Sequence, residues 1–272
     1  MEKSQVTILG ARGSMPVSGP EYSEYGGATS CVLLETGEQA IVFDAGSGFL
    51  KLPPRVWREH TKVHVFLSHA HLDHLIGLMM CPMMYDETAE VIFYAKEAEK
   101  LPSVFRQMMA EPLWPVGPET FQARVRYHSM DANPVVLKEA GAQPVTVRAM
   151  PVTHPGGALA FRAEWGVHRV VYATDCEPDA EERRLLERFA ADCELFILDA
   201  QYTDEEAEGC RGFGHPSMRT AAQIIAGSGA GKGLFFHHAP THTDTQLRQM
   251  EICLQQYREH ISYAREGEVV EL

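Results

Sequence analysis

Seven consecutive residues, Ser68-His69-Ala70-His71-Leu72-Asp73-His74, constrain this chain more than any other stretch. They follow Val63-His64-Val65-Phe66-Leu67, a compact apolar run that reads as a short buried strand. They precede Leu75-Ile76-Gly77-Leu78-Met79-Met80, which predicts the first turns of a helix. Three histidines and an aspartate therefore crowd a strand end and a helix start. On an extended segment residues i and i+2 point the same way, so His69 and His71 are placed to grip one ion together. The chain then turns, and Asp73 and His74 aim at a second point nearby. Imidazole and carboxylate are ligands that suit zinc, manganese or iron. A chance cluster of surface histidines would lack both the strand before it and the helical pattern after it.

The rest of the chain supplies strands of the same kind. Val6–Leu9, Thr29–Glu35 and Gln39–Phe43 read as strands, the last two joined by a turn at 36–38. Asp44 leaves the third of them, placed to brace the metal loop from behind or to serve in a turn. The Gly10–Ser14 turn lacks the Lys-Ser/Thr ending of a nucleotide loop and reads as structural. Val91–Tyr94 is a strand, and 96–110 looks helical. From Glu111 to Tyr127 prolines and aromatics alternate without a period. This insertion, with Met108, Met109, Trp114 and Phe121, is either a packed loop or a wall that shapes a substrate. His128, alone in that region, reads as structural. Pro144–Met150 is a strand that leads to His154. Leu159–Ala163 and His168–Ala173 form a hairpin ending at Asp175. An aspartate at the end of so apolar a strand is costly unless paired or metal-bound. Pro178–Asp192 reads as a helix, Glu194–Leu198 as a strand ending at Asp199, and the acidic Thr203–Glu208 as a solvated loop. Ser217 is placed to cap a helix over Met218–Ala226. Leu234–Phe236 is the last core strand, closed by His237 and His238, and a helix from Asp244 to about Tyr257 ends the pattern.

Composition narrows the class. With 272 residues, 45% of them hydrophobic, the chain can bury a sizeable core. No linker of domain-boundary type appears, so residues 1–272 are expected to form a single domain. A formal net charge of −13 is a poor match to long nucleic acid, which is held largely by phosphate neutralisation. The six cysteines are scattered, Met1–Gln5 is polar and no apolar stretch approaches a membrane span, so a cytoplasmic location with free thiols is expected.

Four strand ends thus carry candidate ligands: His69/His71/Asp73/His74, His154, Asp175, and His237 or His238. In that order they strongly resemble the metallo-β-lactamase fold superfamily, over nearly the whole chain. The likeness is greatest to its ribonuclease Z-like and small phosphodiesterase branch, because Asp73-His74 completes the dinuclear form of the motif, Asp175 stands at that branch's bridging aspartate, and Gly214-His215-Pro216-Ser217 before a helix is similar to its His-Ser/Thr signature. The resemblance implies a four-layer αββα sandwich of the α/β class holding two divalent ions, zinc or manganese, with iron an option. His69, His71 and His154 would hold one and Asp73, His74 and His237 the other, with Asp175 shared. His237 is preferred over His238 by its spacing to Pro240. Asp44 looks like the family's buried aspartate behind the metal loop, with His238 a further supporting residue. Asp199 and His215 stand where similar proteins pair an acidic residue with a histidine near the scissile phosphate.

The activity so implied is hydrolysis of a small phosphodiester, such as a cyclic nucleotide, a dinucleotide or a cyclic phosphate. Two ions about 3.5–4 Å apart share a hydroxide that attacks phosphorus, with Asp73 holding an ion and His215, oriented by Asp199, protonating the leaving group. Two departures bear on the substrate. Only the hairpin lies between His154 and Asp175, with no room for the long arm with which tRNA-cutting relatives grip their substrate, and the chain is too short for the extra domain of the β-CASP branch. Cys176 and Ala28 stand where Thr and Asn are more usual. Two alternatives remain, a lactone, thioester or other carboxylic ester hydrolase of the same fold, and a metal-holding sensor without turnover. The expected partner is a small-molecule phosphodiester, with no membrane and with a homodimer left open.

Overall fold

In the computed structural model, which describes residues 4–37, 39–130, 134–139, 143–255 and 260–272, the apolar runs build two seven-stranded sheets. The first contains β1 (Ser4–Gly10), β2 (Cys31–Thr36), β3 (Gln39–Phe43), β4 (Val63–Phe66), β5 (Glu90–Ala95) and β6 (Arg124–Ser129) in that spatial order, with the chain's last strand against the free side of β1. The second contains β7 (Val135–Leu137), β8 (Val145–Val152), β9 (Ala158–Trp165), β10 (His168–Ala173), β11 (Leu195–Asp199), β12 (Lys232–Phe236) and β13 (Ile261–Tyr263), again in order; the last strand, β14, is Val269–Glu271.

The two sheets repeat one plan. β1, β2 and β3 are antiparallel neighbours, and β3 through β6 run parallel. β8, β9 and β10 are antiparallel, and β10 through β13 run parallel. Parallel neighbours need crossovers, and these carry the helices: α1 (Arg55–Glu59) and α2 (Leu101–Met108) in the first half, then α3 (Ala180–Phe189), α4 (Asp204–Gly209), α5 (Met218–Ser228) and α6 (Asp244–Gln255) in the second. Central strands such as β4 and β11 are buried along their whole length, as strands covered on both faces must be.

Three apolar clusters separate four layers. Val56 and Trp57 of α1 and Leu101 and Phe105 of α2 pack on Val63, Val65 and Phe93 of the first sheet. Phe43, Phe66, Phe161 and Tyr172 meet between the sheets, with the Phe43 and Tyr172 rings stacked at 5.3 Å. Leu186 of α3, Ile224 and Ile225 of α5 and Leu247 of α6 pack on Phe196, Leu198 and Phe235. The result is the αββα sandwich expected from the sequence.

Local expectations fail where tertiary contacts or short elements decide. Leu75–Met80 does not begin an α-helix: two 3-10 turns, Leu72–His74 and Ile76–Met79, replace it. Gly77 donates its amide to the Ala45 carbonyl, and a Cβ there would sit 2.1 Å from the Gly46 carbonyl oxygen, so the turn is held by the Asp44 loop. Only Leu101–Met108 of 96–110 is α-helical, after a 3-10 turn at Ala98–Lys100. The aperiodic stretch to Tyr127 runs into the exposed edge strand β6. The acidic 203–208 segment is helix α4, started by a reciprocal cap between Thr203 and Glu206. The α6 helix is followed by β13 and β14, not by the end of the fold; the expected helix end near Tyr257 and Glu38 of the first hairpin turn lie outside the described residues. Among the described residues no helix is long and apolar enough to cross a membrane.

Candidate metal centre

Every candidate ligand comes from the C-terminal end of a strand or the loop just after it. β4 ends at Phe66, the chain bends at Ser68 and is extended again at His71 (φ −68°, ψ 154°), and the His69 and His71 rings come together with centroids 4.3 Å apart. The 3-10 turn at Leu72–His74 then swings Asp73 and His74 inward, both buried. His154 follows β8, Asp175 follows β10 and His237 follows β12. Asp175 and His237 adopt positive φ, 51° and 62°, as does Asp44 at 60°. Such conformations cost about 1–3 kcal/mol each in non-glycine residues and persist where surrounding contacts fix them.

These side chains fall into two groups that meet at Asp175. His71 Nδ1 lies 3.1 Å from His154 Nε2, and Asp175 Oδ2 lies 3.5 Å from His154 Nε2 and 3.7 Å from His69 Nε2. The other oxygen, Asp175 Oδ1, is 3.2 Å from both His74 Nε2 and His237 Nε2. Asp73 Oδ2 completes that second group, 3.3 Å from His74 Nε2 and 3.1 Å from His237 Nε2. One carboxylate thus faces a His69/His71/His154 set with one oxygen and an Asp73/His74/His237 set with the other.

The outward nitrogens are held by the scaffold. His74 Nδ1 donates to Asp44 Oδ2 at 2.8 Å, His237 Nδ1 to Gln201 Oε1 at 2.7 Å and His154 Nδ1 to the Gly214 carbonyl at 3.0 Å. Each bond fixes a tautomer whose Nε2 lone pair points at the centre. Asp44, fully buried, also accepts from the Ser68 amide and hydroxyl and from Tyr172. The Ser14 amide donates to Asp73 Oδ2 at 2.8 Å. The Gly10–Ser14 turn, read as merely structural, therefore borders the centre, and a Cβ at Gly13 would sit 2.3 Å from His237 Nδ1.

The charge state of this shell suits cations. Burial opposes the charges of Asp73 and Asp175, but surrounding imidazoles outweigh it and hold both carboxyls well below the usual range. Burial pushes His69 and His154 down, so both offer neutral lone pairs. His74 goes the other way: against burial, Asp175, Asp44 and Asp73 push it well above 6.5, which marks a point where anionic oxygens converge on a buried ring. The Nε2 atoms of His69 and His74 are buried and have no hydrogen-bond partner.

His215 and Asp199 also come together. His215 Nδ1 donates to Asp199 Oδ2 at 2.7 Å, and Asp199 Oδ1 accepts from the Gln201 amide. The His215 ring stacks 4.9 Å from His237 and lies 5.4 Å from His154. Burial opposes its charge, yet Asp199 by proximity and hydrogen bond, with Asp175 and Asp73 beyond, raises its pKa to about 9.

His238 faces away from the cluster. Its Nε2 donates to the Ala264 carbonyl at 2.8 Å and its ring packs against Tyr25 and Tyr263, so it does not brace the ligands as expected. Gln201, Tyr172 and Ser14 are the supporting residues that sequence reasoning missed, and Gly214 was named only as part of the His215 motif, not for its carbonyl bond to His154. Of these only Gln201 had a signal, since it stands two residues beyond Asp199 on the same strand extension. Gly214 has φ +95°, and a Cβ there would sit 2.1 Å from His154 Nδ1.

Residues 39–238 match the family model described as a β-lactamase superfamily domain. The chain is 27% identical over 235 residues to a probable metallo-hydrolase, YhfI, of Bacillus subtilis, with 86% of each chain covered. It is 22% identical over 287 aligned positions to ribonuclease Z of Bradyrhizobium diazoefficiens, covering 89% of this chain and 92% of that one. The solved structure of YhfI superimposes with a TM-score of 0.72 at 20% identity, covering all of both chains. A diphosphatase of the PhnP family gives 0.69 at 18% identity, covering 100% of this chain and 98% of that one. By the family match, which spans most of its length, the chain belongs to the metallo-β-lactamase superfamily of metallo-hydrolases.

Proposed function

We propose that this chain hydrolyses small phosphodiesters with the help of two divalent cations. The donor set fits them: five histidines and two carboxylates offer seven side chains around Asp175, the two orphaned Nε2 atoms among them, and Asp199 and His215 lie within reach of Asp175 and His237 as well. His69, His71 and His154 would hold one cation, Asp73, His74 and His237 the other, and Asp175 both. When bound, such ions polarise phosphoryl oxygens and lower the pKa of water toward neutrality.

The observation that carries the reading is the His215–Asp199 pair. A phosphodiester with an alkyl leaving group expels an alkoxide that needs a proton, whereas a thioester expels a thiolate that leaves without such help. Asp199 occupies His215 Nδ1 and leaves Nε2 for the leaving oxygen. Asp199, with Asp175 and Asp73 beyond it, raises the His215 pKa to about 9, so the ring holds the proton that a leaving oxygen needs. The names of the similar proteins, a ribonuclease and a diphosphatase, agree with phosphate-ester chemistry. The net charge of −13 favours a small substrate over a long polyanion.

The test is turnover of bis-p-nitrophenyl phosphate beside a panel of lactones and thioesters, with Mn²⁺ or Zn²⁺ supplied. Diester hydrolysis exceeding that of every carboxylic ester is expected. Lactone turnover with an inert diester would replace this reading by the carboxylic ester one, and no turnover of either would favour a sensor.

A further inference from the structure

Beside the metal loop lies a trough of about 490 Å³, lined by Leu72, Leu75, Met79, Met108, Leu113 and Trp114. Single exposed apolar side chains are ordinary, but here they converge on one concavity. Leu113 is 78% exposed and Leu72 51%. The trough borders the ligand-bearing loop through Ala70, Leu72 and Leu75. Ala70 and Val104 line both it and a second space of about 170 Å³ that His69, Gly156 and Gly157 also line.

Resting on the diester reading above, we propose that this trough receives a hydrocarbon arm of the substrate, an alkyl or aryl group on the phosphoryl that is retained after the leaving group departs. Gln107 and the indole N–H of Trp114 are the polar groups among the side chains of the lining. A nucleobase carries several edge donors and acceptors, and burying them against leucine and methionine leaves most unmet, which is costly. A plain hydrocarbon has nothing to leave unmet. The substrates favoured by this surface are therefore alkyl or aryl phosphodiesters and not nucleotides.

The experiment uses metal-loaded protein and alkyl p-nitrophenyl phosphates from methyl to hexyl, which share one leaving group. The expected kcat/KM rises with chain length, by up to about fourfold per methylene, the factor equivalent to ~0.8 kcal/mol per buried CH₂. Leu113→Glu, at a position 78% exposed, lowers the hexyl-to-methyl ratio of kcat/KM at least tenfold. A flat series in the wild type, or equal losses on methyl and hexyl esters, overturns the proposal. If Leu113→Glu changes the oligomeric state while the series stays flat, the trough is a contact between copies of the chain and the proposal falls.

A second readout separates this from failure of the diester reading. If no diester is turned over, that reading fails, and the trough is tested by titrating methyl- and hexylphosphonate against Trp114 fluorescence, with Trp114→Phe to assign the signal. Trp57 and Trp165 are each only 5% exposed and give a constant background. Tighter hexylphosphonate binding, lost in Leu113→Glu, upholds the hydrocarbon subsite; equal affinity for both phosphonates overturns it.

Discussion

Replacing Asp44 by Asn should loosen both the fold and the grip on metal, by amounts that the structure sets. Asp44 Oδ2 accepts three hydrogen bonds, from His74 Nδ1 at 2.8 Å, Tyr172 OH at 2.7 Å and Ser68 Oγ at 2.8 Å, while Oδ1 takes the Ser68 amide at 2.7 Å. Asparagine tolerates the left-handed backbone at this position, so the loop itself is not the variable. Its oxygen can keep the Ser68 amide, which puts an NH₂ where His74 and Tyr172 both donate. Two buried donors left unmet, at about 1–3 kcal/mol each, cost about 2–6 kcal/mol. His74 can escape by carrying its proton on Nε2 alone, but that removes the lone pair that a cation held by Asp73 and Asp175 would take. Stability so rescued is therefore lost from metal binding, for which such supporting bonds are worth about 10–100-fold in affinity. Urea unfolding of the metal-free variant, with zinc competition against a chromophoric chelator, measures both. Tyr172→Phe is the control: it removes one donor, costs about 0.5–1.5 kcal/mol and leaves zinc affinity within a few-fold. An Asn variant matching wild type in unfolding midpoint and zinc affinity would refute the bracing role.

Three further outcomes are expected. His71→Ala should weaken metal binding at least a hundredfold while the metal-free protein unfolds within about 0.5 kcal/mol of wild type, because His71 is exposed; unchanged metal content would remove it from the ligand set. His215→Ala should slow diesters with alkyl leaving groups far more than nitrophenyl diesters, which leave without a proton, and equal losses on both would end the acid role. His64 should make the fold sensitive to acid: burial lowers its pKa from 6.5 to about 4, so the native state refuses a proton that the unfolded chain accepts. That stability is present above pH 6.5 and is lost as the pH falls toward 4, about 3 kcal/mol in all; a His64→Leu variant whose unfolding keeps the wild-type difference between pH 7.5 and pH 4.5 would contradict this.

The sequence exposes the centre well because convergence is imposed by strand ends. A chemically demanding side chain after an apolar run is legible locally, as at His69, His154, Asp175 and His237. What supports those side chains is not, since the partners come from elsewhere in the chain: Gln201 is 36 residues from His237, Ser14 is 59 from Asp73 and Gly214 is 60 from His154. The three-residue strands β7, β13 and β14 are too short for a period of two to register. β6 hides because an edge strand with Arg124, Arg126 and His128 lacks an apolar face of usual strength. The α4 helix, by contrast, carries its capping signal in Thr203 and Glu206, and its acidity masks it.

The repeated plan of the two sheets explains one thing that neither half shows alone. Asp44 follows β3 and Asp175 follows β10, the strands at which each sheet changes from antiparallel to parallel pairing. Both aspartates have positive φ and both are buried. One stands behind His74 and reaches its Nδ1; the other stands before it and reaches its Nε2. The same local device thus clamps a single imidazole from both sides, and the metal centre forms where the two halves' switch points face one another. Substituting either aspartate should therefore disturb the same ring through opposite nitrogens, with Asp44 acting on tautomer and Asp175 on the ions themselves.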